Sequence, residues 1–192
     1  QMKMKKFLTL GLAAIMAVSM VGCVNQHPEE ANGTAASSDD VRIVATSPAT
    51  ADICDRLELD LVGVCSSTLS TIPERYKDVT QIGTAMSPDL EILKSLKPDY
   101  VLSPSSLQSD LQPKYESIGV NSIFLNLKSV EGMYASISDL GQKFDREEQA
   151  QALVDEFNAF MEEYKKKNEG KESPRVLVLM GLPGSYIVAT EN

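Results

Sequence analysis

Short β-branched runs and helical patterns alternate along residues 41–128. The strand-like runs cover residues 41–45, 61–64, 80–82, 100–102 and 122–125. Between them, helical patterns cover residues 48–59, 90–96 and 107–118, and a short helical turn covers residues 72–76. Such an alternation is typical of a parallel sheet covered by helices. We therefore predict an amino-terminal α/β lobe over residues 41–128.

From residue 129 onward the apolar spacing is almost continuously helical, with a break near residues 141–145. The apolar residues of 146–168 fall on one helical stripe, which consists of Ala150, Leu153, Phe157, Phe160, Met161 and Tyr164. At 1.5 Å per residue this helix is about 34 Å long and crosses a small domain. We assign residues 129–170 to a helical segment that includes an inter-lobe helix.

The end of the chain returns to strand patterns. Strand-forming residues occupy 176–179 and, after a glycine-containing stretch, 186–188. Residues 171–192 are therefore expected to start a second, carboxyl-terminal lobe that the chain leaves unfinished.

The first 22 residues predict a secretory signal. Three lysines, Lys3, Lys5 and Lys6, precede an apolar run over 7–20 that is too short to anchor a folded domain. The run closes on Gly22-Cys23, which resembles a lipobox, although Met20 stands where leucine is usual. The resemblance implies a lipid anchor on Cys23. A buried or disulfide-bonded Cys23 is the alternative.

A polar segment of small residues, 23–40, follows and predicts a flexible tether. His27, the one histidine of the sequence, lies in this tether and is predicted to be solvated rather than a metal ligand. The lipobox resemblance implies that the protein is held at the extracellular face of a bacterial cell membrane, and we expect a Gram-positive organism.

The charge balance limits the partners. Without residues 1–22 the sequence has 15 basic and 27 acidic residues, a formal charge of −12. An acidic surface repels polyanions, so nucleic-acid binding is excluded. Cys54 and Cys65 remain after the lipobox, and we predict two buried thiols, with a disulfide as the alternative.

One methionine stands apart from the core pattern. Met86 lies between Gly83-Thr84-Ala85 and Ser87-Pro88-Asp89, which predict an exposed turn followed by a helix start. The other methionines beyond the signal, Met133, Met161 and Met180, fall on helical stripes or at a strand end. A thioether in a loop indicates ordinary packing, a neighbouring domain, an apolar ligand, or a soft metal centre such as haem iron.

Hydroxyl-rich loops follow the first two predicted strands, at 46–50 and 66–68. The carboxyl ends of parallel strands share one edge, where ligands bind in open α/β sheets. These residues are expected to face a cleft, or else only to cap their helices. No nucleophilic set, paired cleft carboxylates or phosphate-binding glycine loop is recognisable, so we predict a binding protein and not an enzyme.

An α/β lobe, a long helix and a second lobe behind a lipobox resemble the substrate-binding lipoproteins of ATP-binding-cassette (ABC) importers for iron-siderophores, haem and vitamin B12. The resemblance rests on the runs 42–47, 61–64 and 86–99. The sequence is most similar to the haem-binding lipoproteins of the iron-regulated surface determinant system, in the methionine loop, in Leu-Lys-Pro at 96–98 and in residues 179–186. The resemblance implies a two-lobed class III periplasmic-binding-protein fold.

The same resemblance implies a haem site. Met86 corresponds to one axial ligand of the iron, and the second ligand, a histidine, is expected beyond Asn192. The haem propionates are expected at the hydroxyl-rich loops, on Ser47, Ala49, Thr50, Ser66, Ser67 and Thr68, because helix amino termini favour anions. Tyr186 is a further expected cleft residue.

The resemblance also implies partners. Glu91 is similar to the glutamate that docks on arginines of the permease, and it is also a first-turn acid that stabilises its own helix. The expected partners are an ABC permease with its ATPase and a cell-surface haem donor, and the protein is expected to be a monomer. The alternative is a ferric-siderophore or cobalamin receptor of the same fold. Siderophores usually require aromatic and arginine contacts, and the three expected cleft loops, namely 46–50, 66–68 and the loop that carries Met86, contain no arginine.

Overall fold

The computed structural model describes residues 41–182 and 185–188. The strands are β1 (Ile43–Ala45), β2 (Leu61–Val64), β3 (Gly83–Thr84), β4 (Ser87–Pro88), β5 (Tyr100–Pro104), β6 (Ser122–Leu125), β7 (Leu179–Leu182) and β8 (Ser185–Val188). The helices are α1 (Pro48–Arg56), α2 (Leu90–Leu96), α3 (Gln108–Ser117), α4 (Val130–Lys143) and α5 (Glu147–Asn168). The predicted signal, Cys23 and the tether lie outside the described residues.

A four-stranded parallel sheet forms the centre, in the order β2-β1-β5-β6. Ile43 of β1 lies beside Leu61 of β2 on one side and beside Tyr100 of β5 on the other. The chain leaves β1 toward β2 and later crosses back to β5, so the strand order reverses between β1 and β5. In open α/β sheets, ligands bind outside the carboxyl ends of the strands at such a point.

The alternation of side chains along β1 divides the core between the two faces of the sheet. Ile43 and Ala45 point to the face covered by α1, α4 and α5, whereas Val44 points to the face covered by α2 and α3. Each fully buried aliphatic side chain contributes about 1.5–3 kcal/mol of transfer free energy. The two clusters together fix the helices on the sheet, and with them the loops at its edge.

Helix α2 approaches the sheet closely at a glycine. A Cβ atom on Gly63 of β2 would lie 2.7 Å from Leu96 Cδ1. The Arg42 side chain holds the end of α2, because its Nη2 donates to the Leu96 carbonyl oxygen at 2.7 Å and its Nε at 3.0 Å. Leu93 in the middle of the helix is fully buried. Helix α2 is thus fixed along its length.

Three predicted elements differ most from the structure. Helix α1 ends at Arg56, not near Leu59, because Glu58 has a φ of 56° that a helix cannot continue. The predicted strand at 80–82 is a single bridge between Gln81 and Val64. In place of a strand over 176–179, β7 begins at Leu179, since residues 176–178 pair with no strand in the described part of the chain.

The long helix is confirmed as α5, which has 22 residues. Its predicted stripe is buried at Ala150 and Leu153 but 64% exposed at Phe160 and 56% exposed at Tyr164.

β7 and β8 pair as an antiparallel hairpin. No helix in the described ranges is long and apolar enough to cross a membrane. The predicted domain boundaries stay predictions.

Candidate functional site

The hydroxyl groups of the turn between β1 and α1 form hydrogen bonds within the turn. Ser47 is the N-cap of α1, and its Oγ accepts a hydrogen bond from the Thr50 N–H at 3.2 Å. The Ser47 N–H in turn donates to Thr50 Oγ1 at 3.0 Å, which completes a capping box. Both side chains are buried. The geometry therefore shows that the Ser47 and Thr50 side chains cap α1.

The same turn still presents a backbone donor. The first N–H groups of a helix have no partner within it. Pro48 has no N–H, and those of Thr50 and Ala51 bind the Ser47 Oγ and carbonyl oxygen. Ala49 is exposed, and its N–H is the first-turn donor that these capping bonds leave over. An anion at this helix terminus would meet a backbone group and not the two hydroxyls.

The loop after β2 is tied to its neighbours by backbone hydrogen bonds. The Cys65 N–H donates to the Ala45 carbonyl oxygen at 2.9 Å, and the Ser66 N–H donates to the Gly83 carbonyl oxygen at 2.8 Å. Ser67 Oγ accepts from the N–H groups of Leu69 at 3.2 Å and Ser70 at 3.0 Å. A short 3-10 turn, Glu74–Tyr76, follows instead of an α-helix. Of these two loops, only the β1–α1 turn therefore has the positive potential of an α-helix amino terminus.

Met86 lies at the tip of a small hairpin. β3 and β4 pair in antiparallel fashion, so Ala85 and Met86 form the turn between them. Gly83 has a φ of 90°, and a Cβ atom there would lie 2.8 Å from the Ser87 carbonyl oxygen, so the hairpin requires glycine. The Met86 side chain is 76% exposed. The predicted exposed turn is confirmed, and ordinary core packing does not account for the methionine.

The helix that follows the hairpin begins at a strong cap. Asp89 Oδ1 accepts hydrogen bonds from the N–H groups of Glu91 at 2.9 Å and Ile92 at 3.0 Å. The Asp89 N–H donates to the Ile82 carbonyl oxygen at 2.7 Å, which closes the base of the hairpin. Glu91 is exposed in the first turn of α2. The Glu91 carboxylate is therefore exposed to solvent and attached to a backbone that the Asp89 cap holds in place.

A buried hydroxyl chain that the sequence did not reveal joins the two central strands. Thr46 Oγ1 lies 2.8 Å from Ser103 Oγ, and Ser103 Oγ lies 3.1 Å from the Tyr115 hydroxyl. Burial raises the pKa of Tyr115, and the hydrogen bonds from Ser103 and Thr46 oppose that rise. These hydrogen bonds join Thr46, which follows β1, to Ser103 of β5 and Tyr115 of α3, beside the two strands between which the strand order reverses. They hold the start of the β1–α1 turn in place.

The structure brings some of the predicted site residues to one edge of the sheet, but not all of them. Backbone hydrogen bonds connect the end of β1 to the loop after β2, and that loop to the Met86 hairpin. Ser66 and Ser67 are half-buried and Thr68 is exposed on this edge. Tyr186 lies in β8, paired with Gly181, apart from these loops in the chain. Cys23 and His27 fall outside the described residues.

The two remaining cysteines are buried free thiols, as predicted. Burial, with the nearby Asp55 charge, raises the pKa of Cys54 to about 12, and burial raises that of Cys65 to about 11. Both thiols are protonated at neutral pH and do not act as thiolate ligands. Residues 41–182 and 185–188 contain no group of three or more His, Cys, Asp or Glu side chains that would hold a metal ion.

Known proteins resemble the chain in sequence and in structure. Over all 192 residues it is 38% identical to the High-affinity heme uptake system protein IsdE of Staphylococcus aureus (strain Newman), of which it covers 63%. The chain thus spans less than two thirds of the length of this relative.

Two crystal structures are similar to the fold. One is S. aureus IsdE complexed with heme, with a TM-score of 0.73 and 42% identity, covering 79% of this chain and 58% of that chain. The other is an ABC transporter substrate-binding protein from Listeria monocytogenes EGD-e, with a TM-score of 0.72 and 43% identity, covering 78% of this chain and 58% of that chain.

Residues 43–192 match the family described as periplasmic binding protein. The match and the structural similarities confirm the expected fold class, an α/β binding-protein fold with a parallel sheet. They also confirm the expected class of protein, a binding protein and not an enzyme. The chain belongs to the periplasmic binding protein family.

Proposed function

We propose that this chain forms part of a membrane-anchored receptor that binds haem and delivers it to an ABC permease for iron acquisition. The observation that carries the proposal is the exposed Met86 thioether, at the tip of a hairpin that backbone hydrogen bonds tie to the carboxyl end of β2 and to the loop after it. The similarity to IsdE, crystallised complexed with heme, supports haem as the ligand.

Met86 supplies an axial ligand to the haem iron. A thioether is a soft, neutral donor, so it binds iron without adding a charge to a site that becomes buried. At 76% exposure the side chain has few contacts within the described lobe to lose when it turns toward a ligand. The rigid hairpin base, with Gly83 at a positive φ, limits where the sulfur atom can lie.

The haem propionates bind at the two loops beside β1 and β2. The Ala49 N–H at the start of α1 is one donor, supported by the helix dipole. Ser67 Oγ accepts two backbone hydrogen bonds and keeps its own O–H as a donor toward a carboxylate. Ser66 and Thr68 supply further hydroxyls. Ser47 and Thr50 act by fixing the turn, since their side chains are buried in the capping box.

The second axial ligand is a histidine of the carboxyl-terminal lobe. The relatives extend beyond the region that this chain matches, since the chain covers 63% of IsdE. Tyr186 lines the cleft from that lobe. With both lobes present, the iron has a protein ligand on each face.

Glu91 docks the receptor on arginine side chains of the permease. Its exposed carboxylate lies in the first turn of α2, whose position is fixed by the Asp89 cap and by Arg42. The same charge stabilises the helix amino terminus, so both roles hold together.

The remaining features of the receptor follow from its place in uptake. Cys23 carries the lipid anchor, and residues 23–40 tether the lobes to the extracellular face of the membrane of a Gram-positive bacterium. The receptor works as a monomer with a permease and its ATPase. A cell-surface protein hands haem to it.

Ligand titration tests this function. Protein extended to the full length of the relatives, without residues 1–22, should bind haemin and give a low-spin Soret spectrum. A ferric siderophore and cobalamin are titrated in parallel. Binding of the siderophore or cobalamin with no response to haemin would replace haem by that ligand.

A further inference from the structure

A second exposed apolar residue lies at the same edge as Met86. Leu69 is 96% exposed, the highest value among the large apolar residues of the described ranges, in a loop that otherwise consists of serine and threonine from residue 66 to 71. An isolated exposed leucine is common on protein surfaces. This one adjoins the candidate site, and nothing in the described lobe covers it.

The loop that carries Leu69 contains a hydrogen-bonded turn. Ser67 Oγ accepts from the Leu69 and Ser70 N–H groups, which fixes a turn with Leu69 at its apex. The loop is held to the Met86 hairpin at Ser66, and Ile72 packs against the core at its other end. The side chain at position 69 is therefore presented at a defined place.

Leu69 and Met86 lie on two loops that one backbone hydrogen bond joins. The hydrogen bond from the Ser66 N–H to the Gly83 carbonyl oxygen is 2.8 Å long and joins the two loops. Leu69 follows Ser66 by three residues and Met86 follows Gly83 by three residues, so each lies at most about 11 Å of chain from that bond. Two exposed apolar side chains thus project from loops that share one backbone link.

We propose that Leu69 packs against the apolar porphyrin of bound haem, beside the Met86 ligand. The inference rests on the proposed haem-binding function. A porphyrin combines a broad apolar macrocycle with two carboxylates, so its site needs apolar side chains next to polar donors. The loop after β2 offers both, because Leu69 directly follows the hydroxyls of Ser66, Ser67 and Thr68.

The test compares Leu69→Ser with Leu69→Ile in protein that carries both lobes. Haemin and metal-free protoporphyrin IX are both titrated, since binding of the metal-free ring does not depend on the iron ligand. We expect Leu69→Ser to weaken the binding of both ligands about tenfold. Leu69→Ile should keep the wild-type affinities within about threefold, because it keeps the apolar area. The low-spin spectrum of bound haemin should not change in either variant.

The outcomes separate this inference from the proposed function. If the wild-type protein ignores haemin, the proposed function fails and the role of Leu69 fails with it. If wild type binds haemin and Leu69→Ser binds it equally well, the role of Leu69 alone is overturned. If that variant keeps its haemin affinity but fails in uptake by reconstituted permease, Leu69 belongs to the permease interface instead. Thermal unfolding of each variant checks that the fold is unchanged.

Discussion

Two segments at the same edge of the sheet use their side chains in opposite ways. In the β1–α1 turn, Ser47 and Thr50 are buried and bond to each other in a capping box. In the hairpin between Gly83 and Pro88, the backbone makes the structure and Met86 is left 76% exposed. The comparison separates side chains that build the edge from side chains that meet whatever binds there.

The hairpin backbone gives the largest expected effect on stability. Gly83→Ala places a Cβ atom 2.8 Å from the Ser87 carbonyl oxygen at a φ of 90°. We expect a loss of about 2 kcal/mol in the free energy of unfolding, measured by urea denaturation. Gly119→Ala is the matched control, since Gly119 also has a positive φ, of 73°, but no atom near its Cβ position. Equal losses in the two variants would mean that the hairpin contact adds nothing.

The capping box gives the next effect. Ser47→Ala removes the acceptor for the Thr50 N–H, so the unfolding free energy should fall by about 1 kcal/mol. Thr68→Ala, an exposed hydroxyl of the neighbouring loop, should change it by less than about 0.5 kcal/mol. If the two substitutions have the same effect, Ser47 does not build the edge as the geometry indicates.

The buried thiols predict a pH dependence. Their pKa values in the folded protein, about 12 for Cys54 and about 11 for Cys65, lie above the value of about 8.5 for an unfolded thiol. The neutral thiols therefore stabilise the fold fully below about pH 8.5, and this contribution is lost as the pH rises toward 11 and 12. Unfolding midpoints should fall with pH in this range.

A double variant isolates the thiol contribution to that fall. Replacing Cys54 and Cys65 by alanine removes both titrating groups, so the alkaline decrease should become shallower. The buried tyrosines Tyr76 and Tyr115, whose pKa values burial also raises, account for the part that remains. An unchanged alkaline slope in the double variant would contradict the role of the thiols.

Local patterns in the sequence predicted much of this fold. β2, β6 and α2 have the predicted bounds because each combines a clear apolar pattern with a turn or a capping residue at its end. Helix α1 was predicted three residues too long, because the positive φ of Glu58 is not visible in the apolar spacing. The boundary lies at the backbone turn of Glu58, between Leu57 and Leu59, which are both buried.

The site was predictable only where its residues are close in sequence. The exposure of Met86 followed from the turn-forming residues that flank it. The Thr46–Ser103–Tyr115 chain was not predictable, because Thr46 and Ser103 are 57 residues apart and meet only through the pairing of β1 with β5. The capping role of the Ser47 and Thr50 hydroxyls was predictable, because hydroxyl residues at a helix start commonly cap it, and capping was the alternative to a role in the cleft.

The most direct test of the central claim is the haemin spectrum of Met86→Ala in protein with both lobes. Met161→Ala is the control, since Met161 is a half-buried methionine on α5, outside the loops of the candidate site. We expect both variants to keep their unfolding free energy within about 1 kcal/mol, and Met86→Ala alone to lose the low-spin Soret spectrum. A low-spin spectrum that survives unchanged in Met86→Ala would contradict the assignment of Met86 as an iron ligand.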